Sequence, residues 1–505
     1  MLDIIIKSGI VIDGTGAEGF VADIGIKNGK IIKIGNIDEN ADKVIDAGGL
    51  TVTPGFIDSH SHSDNALFRA PEMREKCEQG ITTSIGGQCG SSLLANKNDK
   101  LAEPKNLKEI TKDLALGSNL ATFVGHGTIR KTVMGAENRE PTVDELESMK
   151  KILRESIRAG AVGMSTGLIY NPGIFAKADE LVELSKVCAE EGGILASHMR
   201  NESDTLIEAA EEFLSIVRAS GARGVISHHK SCFKHNHGKV KTTLGMIDDI
   251  NREGFDVYCD VYPYTASSTS MTARFVPKEY QANNMAVENL KNPEIRRKII
   301  EANKGKADIK HIDWCLVTSC RNHPEYNGKY VCEISKMMNV RDIDAALDLI
   351  ILSNNSCSAC FFSMCEEDVE TVIKHPRAMI CTDSGVVLSD APYHPRLRAS
   401  FPKAIRRFVR ELDSVALPEM IRKMTSLPAY VYNLKNKGEI KEGYDADLCI
   451  FDYEKLSDKA DYINPHAKAE GLNFVIIGGD VVVENSEYND KKTGRVLLRN
   501  ENGVY

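Results

Sequence analysis

Hydrophobic and polar residues alternate at both ends of the 505-residue chain, which is the pattern of β-strands with one buried face. Near the N-terminus, VADIGIKNGKIIKIG alternates on either side of Asn28-Gly29, a residue pair favoured in the type I′ turn of a hairpin. The alternation returns near the C-terminus in DADLCIFDY, NFVIIGGDVVVEN and GRVLLRN. Because a small set of strands is hard to stabilise alone, we expect residues 1–52 and 431–505 to pair into one small β-sandwich.

Between the two ends, the pattern changes to short apolar strands that alternate with amphipathic helical segments. The strands include FIDSHSH, ITTSIGGQC, AVGMSTG and GVISHHK, and TVDELESMKKILRESIRAG is one of the helical segments. Repeated βα units predict a parallel sheet, and polar residues gather at the C-terminal ends of the strands. Both features favour a closed (β/α)8 TIM-like barrel over residues 53–430, so the predicted fold class is α/β.

One part of the barrel segment departs from this rhythm. Residues 265 to about 350 do not alternate strands with helices, and they carry the only tryptophan, Trp314. We interpret them as a lid-like insertion. The barrel segment also contains nine candidate strands, one more than such a barrel holds. We expect CSACFFSM, or part of the segment before it, to belong to an insertion or to be no strand at all.

Composition and charge narrow the class of partner. A net charge of −9 and a pI near 5.9 predict no basic surface for a nucleic acid or an anionic membrane, so we expect a small-molecule partner. No stretch is apolar for long enough to span a bilayer, and the first residues lack the pattern of a secretory signal. Thirteen cysteines, an odd number, predict reduced thiols in a cytoplasmic protein. The sequence does not indicate the oligomeric state.

The candidate chemistry begins at residues 53–64, TPGFIDSHSHSD, where two histidines follow a short apolar run. Side chains two residues apart on an extended backbone face the same way, so His60 and His62 can share one metal ion. The ends of barrel strands meet at one rim, and imidazole, thiolate and carboxylate ligands together suit zinc. Each such residue alone is more often a packing or hydrogen-bonding residue. Six of them at one rim are improbable by chance, so together they predict a metal site. The four further candidates, each at the end of a predicted strand, are Cys89, His198, His228 and Asp383.

Ten sequence blocks, spread over nearly the whole chain, resemble those of the D-aminoacylases, or N-acyl-D-amino-acid deacylases, of the amidohydrolase superfamily. The blocks are PGFIDSHSH, GGQCGSS, GHGTIR, STGLIYNPG, SHMRNE, SHHK, DVYPYTASST, TDS, HPR and GEIKEGYDADL. The resemblance implies a β-sandwich beside a metal-bearing (β/α)8 barrel. It also implies a tight zinc site at Cys89, His198 and His228 and a second, weaker metal site at His60 and His62, with Cys89 able to bridge the two.

One departure within the superfamily selects a branch. Most superfamily members with two metals bridge them with a carboxylated lysine on the fourth strand, whereas the corresponding segment here, AVGMSTG, contains no lysine. The absence favours the cysteine-bearing D-aminoacylases over hydantoinases and dihydroorotases.

The ligand set predicts hydrolysis of an amide. Zinc lowers the pKa of bound water to roughly 7 and polarises a carbonyl group. Asp383 suits the general acid/base, because one carboxylate can take a proton from water and pass it to the departing nitrogen. A purely structural role for Asp383 is the alternative, and the resemblance favours the catalytic one. His229 should point away from the site by strand alternation.

Four residues are candidates for binding the α-carboxylate of the substrate. Lys230 follows His228 by two residues and should reach the same side of the strand, while the planar guanidinium of Arg396 matches a carboxylate. Tyr262 and Ser268, both in DVYPYTASST, add hydroxyl groups. The resemblance places Tyr262, Lys230 and Arg396 around the substrate. The alternative is that Lys230 and Arg396 pair with acidic residues of the protein itself.

Arg274 is a candidate for recognising the substrate side chain. It follows YPYTASST near the start of the predicted insertion. The resemblance implies that family members acting on acidic substrates use an arginine in this neighbourhood. A solvated arginine on the lid is the competing interpretation, and we favour it over recognition of the side chain.

These features predict zinc-dependent hydrolysis of N-acyl-D-amino acids to a carboxylate and a free D-amino acid. Hydrolysis of cyclic amides, as in hydantoinases, is a second possibility that the missing lysine disfavours. A metal-free scaffold derived from an amidohydrolase is the third, and the retention of every ligand argues against it. The preferred side chain, the preferred acyl group and the number of metals in the active form stay open.

Overall fold

The computed structural model describes residues 1–305, 308–389 and 391–499. Its strands form four sheets, and both ends of the chain contribute to the largest one. In chain order the strands are β1 (Leu2–Val11), β2 (Phe20–Lys27), β3 (Lys30–Gly35), β4 (Ala41–Asp46), β5 (Thr51–Pro54), β6 (Phe56–Asp58), β7 (Ile81–Gly86), β8 (Asn119–Thr122), β9 (Val124–Gly125), β10 (Gly163–Gly167), β11 (Ile194–His198), β12 (Arg223–Ile226), β13 (Val257–Val261), β14 (Ala266–Ser270), β15 (Cys315–Cys320), β16 (Cys357–Phe362), β17 (Ala378–Ile380), β18 (Leu448–Phe451), β19 (Leu472–Ile477), β20 (Asp480–Glu484) and β21 (Glu487–Tyr488).

Helices fill most of the connections between the barrel strands. They are α1 (Arg74–Cys77), α2 (Leu107–Thr111), α3 (His126–Met134), α4 (Val143–Arg158), α5 (Ala178–Glu190), α6 (Leu206–Ser220), α7 (Lys239–Arg252), α8 (Met271–Phe275), α9 (Ala286–Lys291), α10 (Pro293–Asn303), α11 (Val331–Met338), α12 (Asp342–Leu352), α13 (Glu366–Lys374), α14 (Arg396–Lys403), α15 (Leu417–Met424) and α16 (Ser426–Val431), with a π-helical segment, Ala404–Glu411, directly after α14. Within the described ranges, no helix has both the length and the apolar character that crossing a bilayer requires.

The largest sheet joins the two ends of the chain, as the alternating pattern predicted. Its order is β21-β20-β19-β18-β5-β1-β2-β3, and β4 also pairs with β1. The two halves meet where β18 runs antiparallel to β5. The long strand β1 pairs with β4 over its first half and with β5 near its end, so the sheet folds around one apolar core. The β2–β3 hairpin turns at Asn28-Gly29, and both residues have the positive φ that a type I′ turn requires.

One predicted strand of the sandwich lies elsewhere. Residues 494–499 of the segment GRVLLRN run along the barrel, where Gly494 and Val496 form bridges with Leu116 and Leu120. The rest of the predicted sandwich segment, residues 500–505, lies outside the described residues. The Leu497 N–H donates to the Leu120 carbonyl, and the Leu497 side chain packs among barrel residues at 4% exposure. The prediction that this segment belongs to the sandwich was therefore wrong, because its apolar residues fill the barrel core instead.

Eight parallel strands form the predicted barrel: β6, β7, β8 with its continuation β9, β10, β11, β12, β13 and β17. Two backbone hydrogen bonds connect its last strand to its first just beyond their carboxyl ends. The Asp383 N–H donates to the His60 carbonyl at 2.9 Å, and the His62 N–H donates to the Ser384 carbonyl at 3.0 Å. The seam of the barrel therefore brings the two predicted histidine ligands next to Asp383.

The ninth candidate strand belongs to the insertion. CSACFFSM contains β16, which pairs antiparallel with β14 and β15 in a separate three-stranded sheet. This sheet packs on helices α8 to α12 around an apolar core of its own. Its last strand lies beyond the predicted end of the insertion near residue 350, because β16 completes a sheet that β14 and β15 cannot form without it. Strand β14 borders the cavity at the carboxyl ends of the barrel strands.

Candidate active site

A buried thiol lies between three imidazoles at the carboxyl end of the barrel. The Cys89 Sγ is 3.3 Å from His60 Nε2, 3.3 Å from His228 Nε2 and 3.7 Å from His198 Nδ1. Cys89, His198 and His228 form one group whose ligand atoms all lie within 4.8 Å of one another. The structure thus brings Cys89 together with two histidines that lie more than a hundred positions later in the sequence.

A second group of candidate ligands shares the same thiol. It contains His60, His62, Cys89 and Asp383, whose ligand atoms are also mutually within 4.8 Å. The Asp383 Oδ1 is 3.2 Å from His62 Nε2 and 3.5 Å from His60 Nε2. Because Cys89 belongs to both groups, its sulfur lies where a bridge between two metal ions would lie.

Three of these ligands have unusual backbone conformations. Cys89, His228 and Asp383 adopt φ values of 53°, 38° and 47°, in the left-handed region that few non-glycine residues occupy. Each therefore lies in a sharp turn beyond its strand rather than in the extended strand itself. Such conformations cost roughly 1–3 kcal/mol each and cluster at functional sites, where the surrounding structure enforces them.

The outer nitrogen of each central imidazole faces a carboxylate. His60 Nδ1 is 3.4 Å from Asp260, His228 Nδ1 is 3.0 Å from Glu202, and His198 Nε2 is 3.7 Å from the other oxygen of Glu202. A carboxylate behind a ligating imidazole fixes the ring and raises its basicity, and it is a regular feature of metal sites. The sequence analysis did not single out Asp260 or Glu202, although both lie in motifs it used, DVYPYTASST and SHMRNE.

The spacing of these ligand atoms fits zinc. Metal bonds of about 2.0–2.3 Å in a tetrahedral site separate the ligand atoms by about 3.3–3.8 Å, and the three distances from Cys89 Sγ fall in that range. The donor set of one thiolate and several imidazoles is also one that zinc prefers. The described strand β10 contains no lysine, so the cysteine is the bridging candidate that the site offers.

The charges of the cluster support one another. Burial opposes ionisation of Cys89, but His60, His228 and His198 outweigh it and hold the pKa of the thiol well below its usual value. Burial likewise opposes ionisation of Asp383, yet Arg396, His228 and His62 hold the pKa of that carboxyl well below its usual range. The pKa of Glu202 is lowered against burial mainly by Lys230. Two buried anions and one partly buried anion therefore surround the imidazoles, an arrangement suited to a divalent cation.

Lys230 and Arg396 both line the site, and each pairs with an acidic residue. The Lys230 Nζ is 2.5 Å from Glu202 and 2.7 Å from His228 Nδ1. The Arg396 guanidinium is 2.7 Å from Asp383 Oδ2. These are the pairings with protein acids that the sequence analysis held as an alternative. The stated reason for placing Lys230 was wrong, because His228 lies in a turn and strand alternation does not apply there.

A cavity of about 560 Å³ opens from the metal ligands toward the insertion. Tyr262 and Ser268 both line it, as does Tyr170, which the sequence analysis missed. The cations of Lys230 and Arg396 both lie near the Tyr262 ring, at 5.5 Å and 4.7 Å from its centroid. The backbone carbonyl of Ser268 accepts a hydrogen bond from Arg396, whereas its hydroxyl faces Cys360.

Two further residues help to define this region. Tyr170 packs edge-on to His198 and hydrogen-bonds to Thr269 on β14, which connects the metal site to the insertion. Its motif, STGLIYNPG, was the signal that could have identified it. His229 points away from the cavity, and its Nε2 is 2.8 Å from the Thr243 hydroxyl.

Arg274 lines a second cavity of about 490 Å³ beside the first. The two cavities share wall residues on β14 and the residue Glu202. The Arg274 guanidinium lies 4.1 Å from the Phe233 ring centroid and 5.5 Å from that of Trp314. The arginine is thus partly buried between aromatic rings rather than fully exposed on the lid.

Comparisons with known proteins agree with this architecture. A profile of the amidohydrolase family matches residues 43–483. An N-acyl-D-glutamate deacylase of Alcaligenes xylosoxydans xylosoxydans is 34% identical over 99% of this chain and 97% of its own length. The structure of N-acyl-D-glutamate deacylase from Bordetella bronchiseptica, complexed with zinc and a phosphonate that mimics the tetrahedral intermediate, superposes with a TM-score of 0.86 at 32% identity, covering 98% of this chain and 99% of that one.

A solved D-aminoacylase, described by its binuclear metal centre with one-metal activation and second-metal attenuation, has a TM-score of 0.84 at 31% identity over 99% of this chain and 100% of that one. Sequence similarity over nearly the whole length thus accompanies the same fold. The chain belongs to the D-aminoacylase family of metal-dependent amidohydrolases.

Proposed function

We propose that this protein is a zinc-dependent hydrolase that converts N-acyl-D-amino acids to a carboxylate and a free D-amino acid. The observation that carries the proposal is the buried Cys89 thiol, which lies between three imidazoles that are each backed by a carboxylate. Relatives of similar length that are named for this activity support the proposal, and the solved glutamate deacylase contains zinc.

The ligand sets divide the metal between a tight and a weaker site. Cys89, His198 and His228 would hold the tight zinc, and His60, His62 and Asp383 would hold a second ion with Cys89 between them. Zinc, when bound, lowers the pKa of water to about 7 and polarises a carbonyl oxygen. His62 is the most exposed of these ligands, which suits the weaker site.

Asp383 is the general acid/base in this proposal. Arg396 holds one carboxylate oxygen, so the other faces the histidines and the cavity. Because Arg396 and His228 keep the pKa of this carboxyl well below its usual range, it is ionised at neutral pH and ready to accept a proton from water. The same oxygen can then return that proton to the departing amide nitrogen.

The α-carboxylate of the substrate would bind beside Tyr262. An ammonium group has three donors, and Lys230 uses one for Glu202, which leaves donors for a substrate carboxylate. Arg396 has five donors, of which one contacts Asp383 and another the Ser268 carbonyl, so it too has donors left for a substrate carboxylate. Two cations close to one aromatic ring favour the binding of an anionic group near both.

The second cavity would accept the substrate side chain. Arg274, one of the cationic residues that line it, lies against two aromatic rings and is partly buried, and burial lowers its pKa. A buried guanidinium gains most from a carboxylate partner. We therefore favour D-glutamate or D-aspartate derivatives, which agrees with the name of the Alcaligenes relative.

A panel of N-acetyl-D- and N-acetyl-L-amino acids tests the proposal directly. We expect hydrolysis of the D series, with N-acetyl-D-glutamate or D-aspartate exceeding N-acetyl-D-leucine in kcat/KM by at least about tenfold, because a charge-assisted hydrogen bond contributes roughly 1.5–3 kcal/mol. Arg274→Met should abolish the preference while zinc stays bound. Preference for apolar side chains would remove Arg274 from recognition, and turnover of only L substrates would remove the proposed function.

The Cys89→Ala variant tests the metal site. It should lose both zinc and activity, because the thiolate is the ligand that the two groups share. Cys188→Ala, which removes another buried thiol, on α5, should keep both. The measurement is elemental analysis alongside the rate with the preferred substrate of the panel. Full zinc content in Cys89→Ala would contradict the assignment.

The Asp383→Asn variant tests the general acid/base. It should fold and keep much of its zinc while kcat falls by at least about a hundredfold, the lower range for removing a positioned acid–base group. Asp368→Asn, which alters a buried carboxylate that accepts the Gly238 N–H, serves as the control. Near-normal turnover by Asp383→Asn would exclude the residue from the mechanism.

The α-amide of the preferred substrate tests the carboxylate site. Wild type should discriminate strongly against the amide, and Lys230→Met should discriminate much less, since it lacks one of the two cations. The ratio of kcat/KM for acid and amide isolates this effect from any general loss of activity. Equal wild-type efficiency on acid and amide would contradict the site and favour hydrolysis of cyclic amides instead.

A further inference from the structure

A buried lysine and a buried aspartate lie directly behind the segment that carries Asp383. Lys76 on α1 and Asp58 at the end of β6 have side chains that are 0% exposed, and the Lys76 Nζ is 2.9 Å from Asp58 Oδ2. Removing two charges from water is expensive, and such a pair contributes little net stability compared with apolar residues of the same size. Net stability therefore does not account for this pair, and the residues that it contacts indicate its role.

The contacts of this pair converge on residues 382–384. Lys76 donates to the Thr382 hydroxyl at 2.8 Å and to the Ser384 carbonyl at 3.0 Å. Asp58 accepts the Thr382 backbone N–H at 2.8 Å and the Thr382 hydroxyl at 2.6 Å. The three ammonium protons are thus all used, and the residues on both sides of Asp383 are held.

The central residue of this segment is the one that needs support. Asp383 has a φ of 47°, and its own N–H is bonded to the His60 carbonyl. The Thr382 hydroxyl also accepts the Ser384 N–H at 3.2 Å, which closes the turn around Asp383. A left-handed residue persists only where its surroundings enforce it, and Lys76, Asp58 and Thr382 supply that enforcement.

We propose that Lys76 and Asp58 are positioning residues that hold the Thr382–Ser384 turn, and thereby aim the Asp383 carboxylate at the metal ligands. The inference rests on the proposed role of Asp383 in amide hydrolysis. Neither side chain lines the substrate cavity. A displacement of about 1 Å in a catalytic group can lower the rate by about a hundredfold, so a support this close to Asp383 affects the chemical step.

Two variants with matched controls test the proposal on whichever amide substrate the wild type hydrolyses fastest. Lys76→Met should lower kcat by about tenfold to a hundredfold, with KM and zinc content nearly unchanged. Its control is Lys437→Met, which removes another buried lysine. The Lys437 Nζ is 2.5 Å from Asp447, and Lys437 does not line the substrate cavity. The control should lose comparable stability and keep its kcat.

Because Lys76→Met leaves Asp58 buried without its partner and can fail to fold, a gentler change decides that case. Thr382→Val removes only the hydroxyl, and Thr53→Val does the same at an equally buried site in β5. Thr382→Val should lower kcat, Thr382→Ser should restore it, and Thr53→Val should leave it unchanged. Amide hydrogen exchange in the peptide that contains residues 382–384 should accelerate in Thr382→Val and in folded Lys76→Met.

The outcomes separate the positioning role from the proposed function. A wild type without amidase activity sinks the proposed function, whereas an active wild type whose folded variants keep kcat within about threefold contradicts only the positioning role. Equal losses of kcat in the variants and in their controls would also contradict it, since they would reflect general destabilisation.

Discussion

The arrangement of the active site depends on one interaction, the buried contact of the Cys89 thiolate with three imidazoles. Isolated charges are costly to bury, and the structure solves this by surrounding the cluster with groups of the opposite sign. Cys89 faces the imidazoles, Asp260 and Glu202 lie behind them, and Lys230 and Arg396 pair with the outermost carboxylates. Groups of opposite charge therefore alternate outward from Cys89, and a divalent cation bound by the thiolate and the imidazoles would add the positive charge that this site favours.

The same ion pairs connect the proposed substrate-binding residues with the proposed general acid/base. Arg396 pairs with Asp383 and lies near the Tyr262 ring, so in our proposal one guanidinium would bind both the substrate carboxylate and the general acid/base. Glu202 connects Lys230 to two metal-site imidazoles in a similar way. In our proposal, substrate binding and proton transfer are thus coupled through shared ion pairs.

Sequence reasoning was strongest where a local pattern carries the information. Alternating residues predicted the terminal sheet, and βα rhythm predicted the barrel. It failed for GRVLLRN, whose alternation is that of a strand although its partner is the barrel segment near Leu120. It also missed Glu202, Asp260 and Lys76, because an acidic or basic residue near a motif looks solvated until the fold shows which buried cation or anion it meets.

The most direct test of the account is the local structure of the bound metal, measured by X-ray absorption at the zinc edge on the purified protein. We expect one sulfur ligand at about 2.3 Å and nitrogen or oxygen ligands near 2.0–2.1 Å in the wild-type protein. A first shell of nitrogen and oxygen alone, in a wild-type protein that contains zinc and hydrolyses N-acyl-D-amino acids, would contradict the central place given to Cys89.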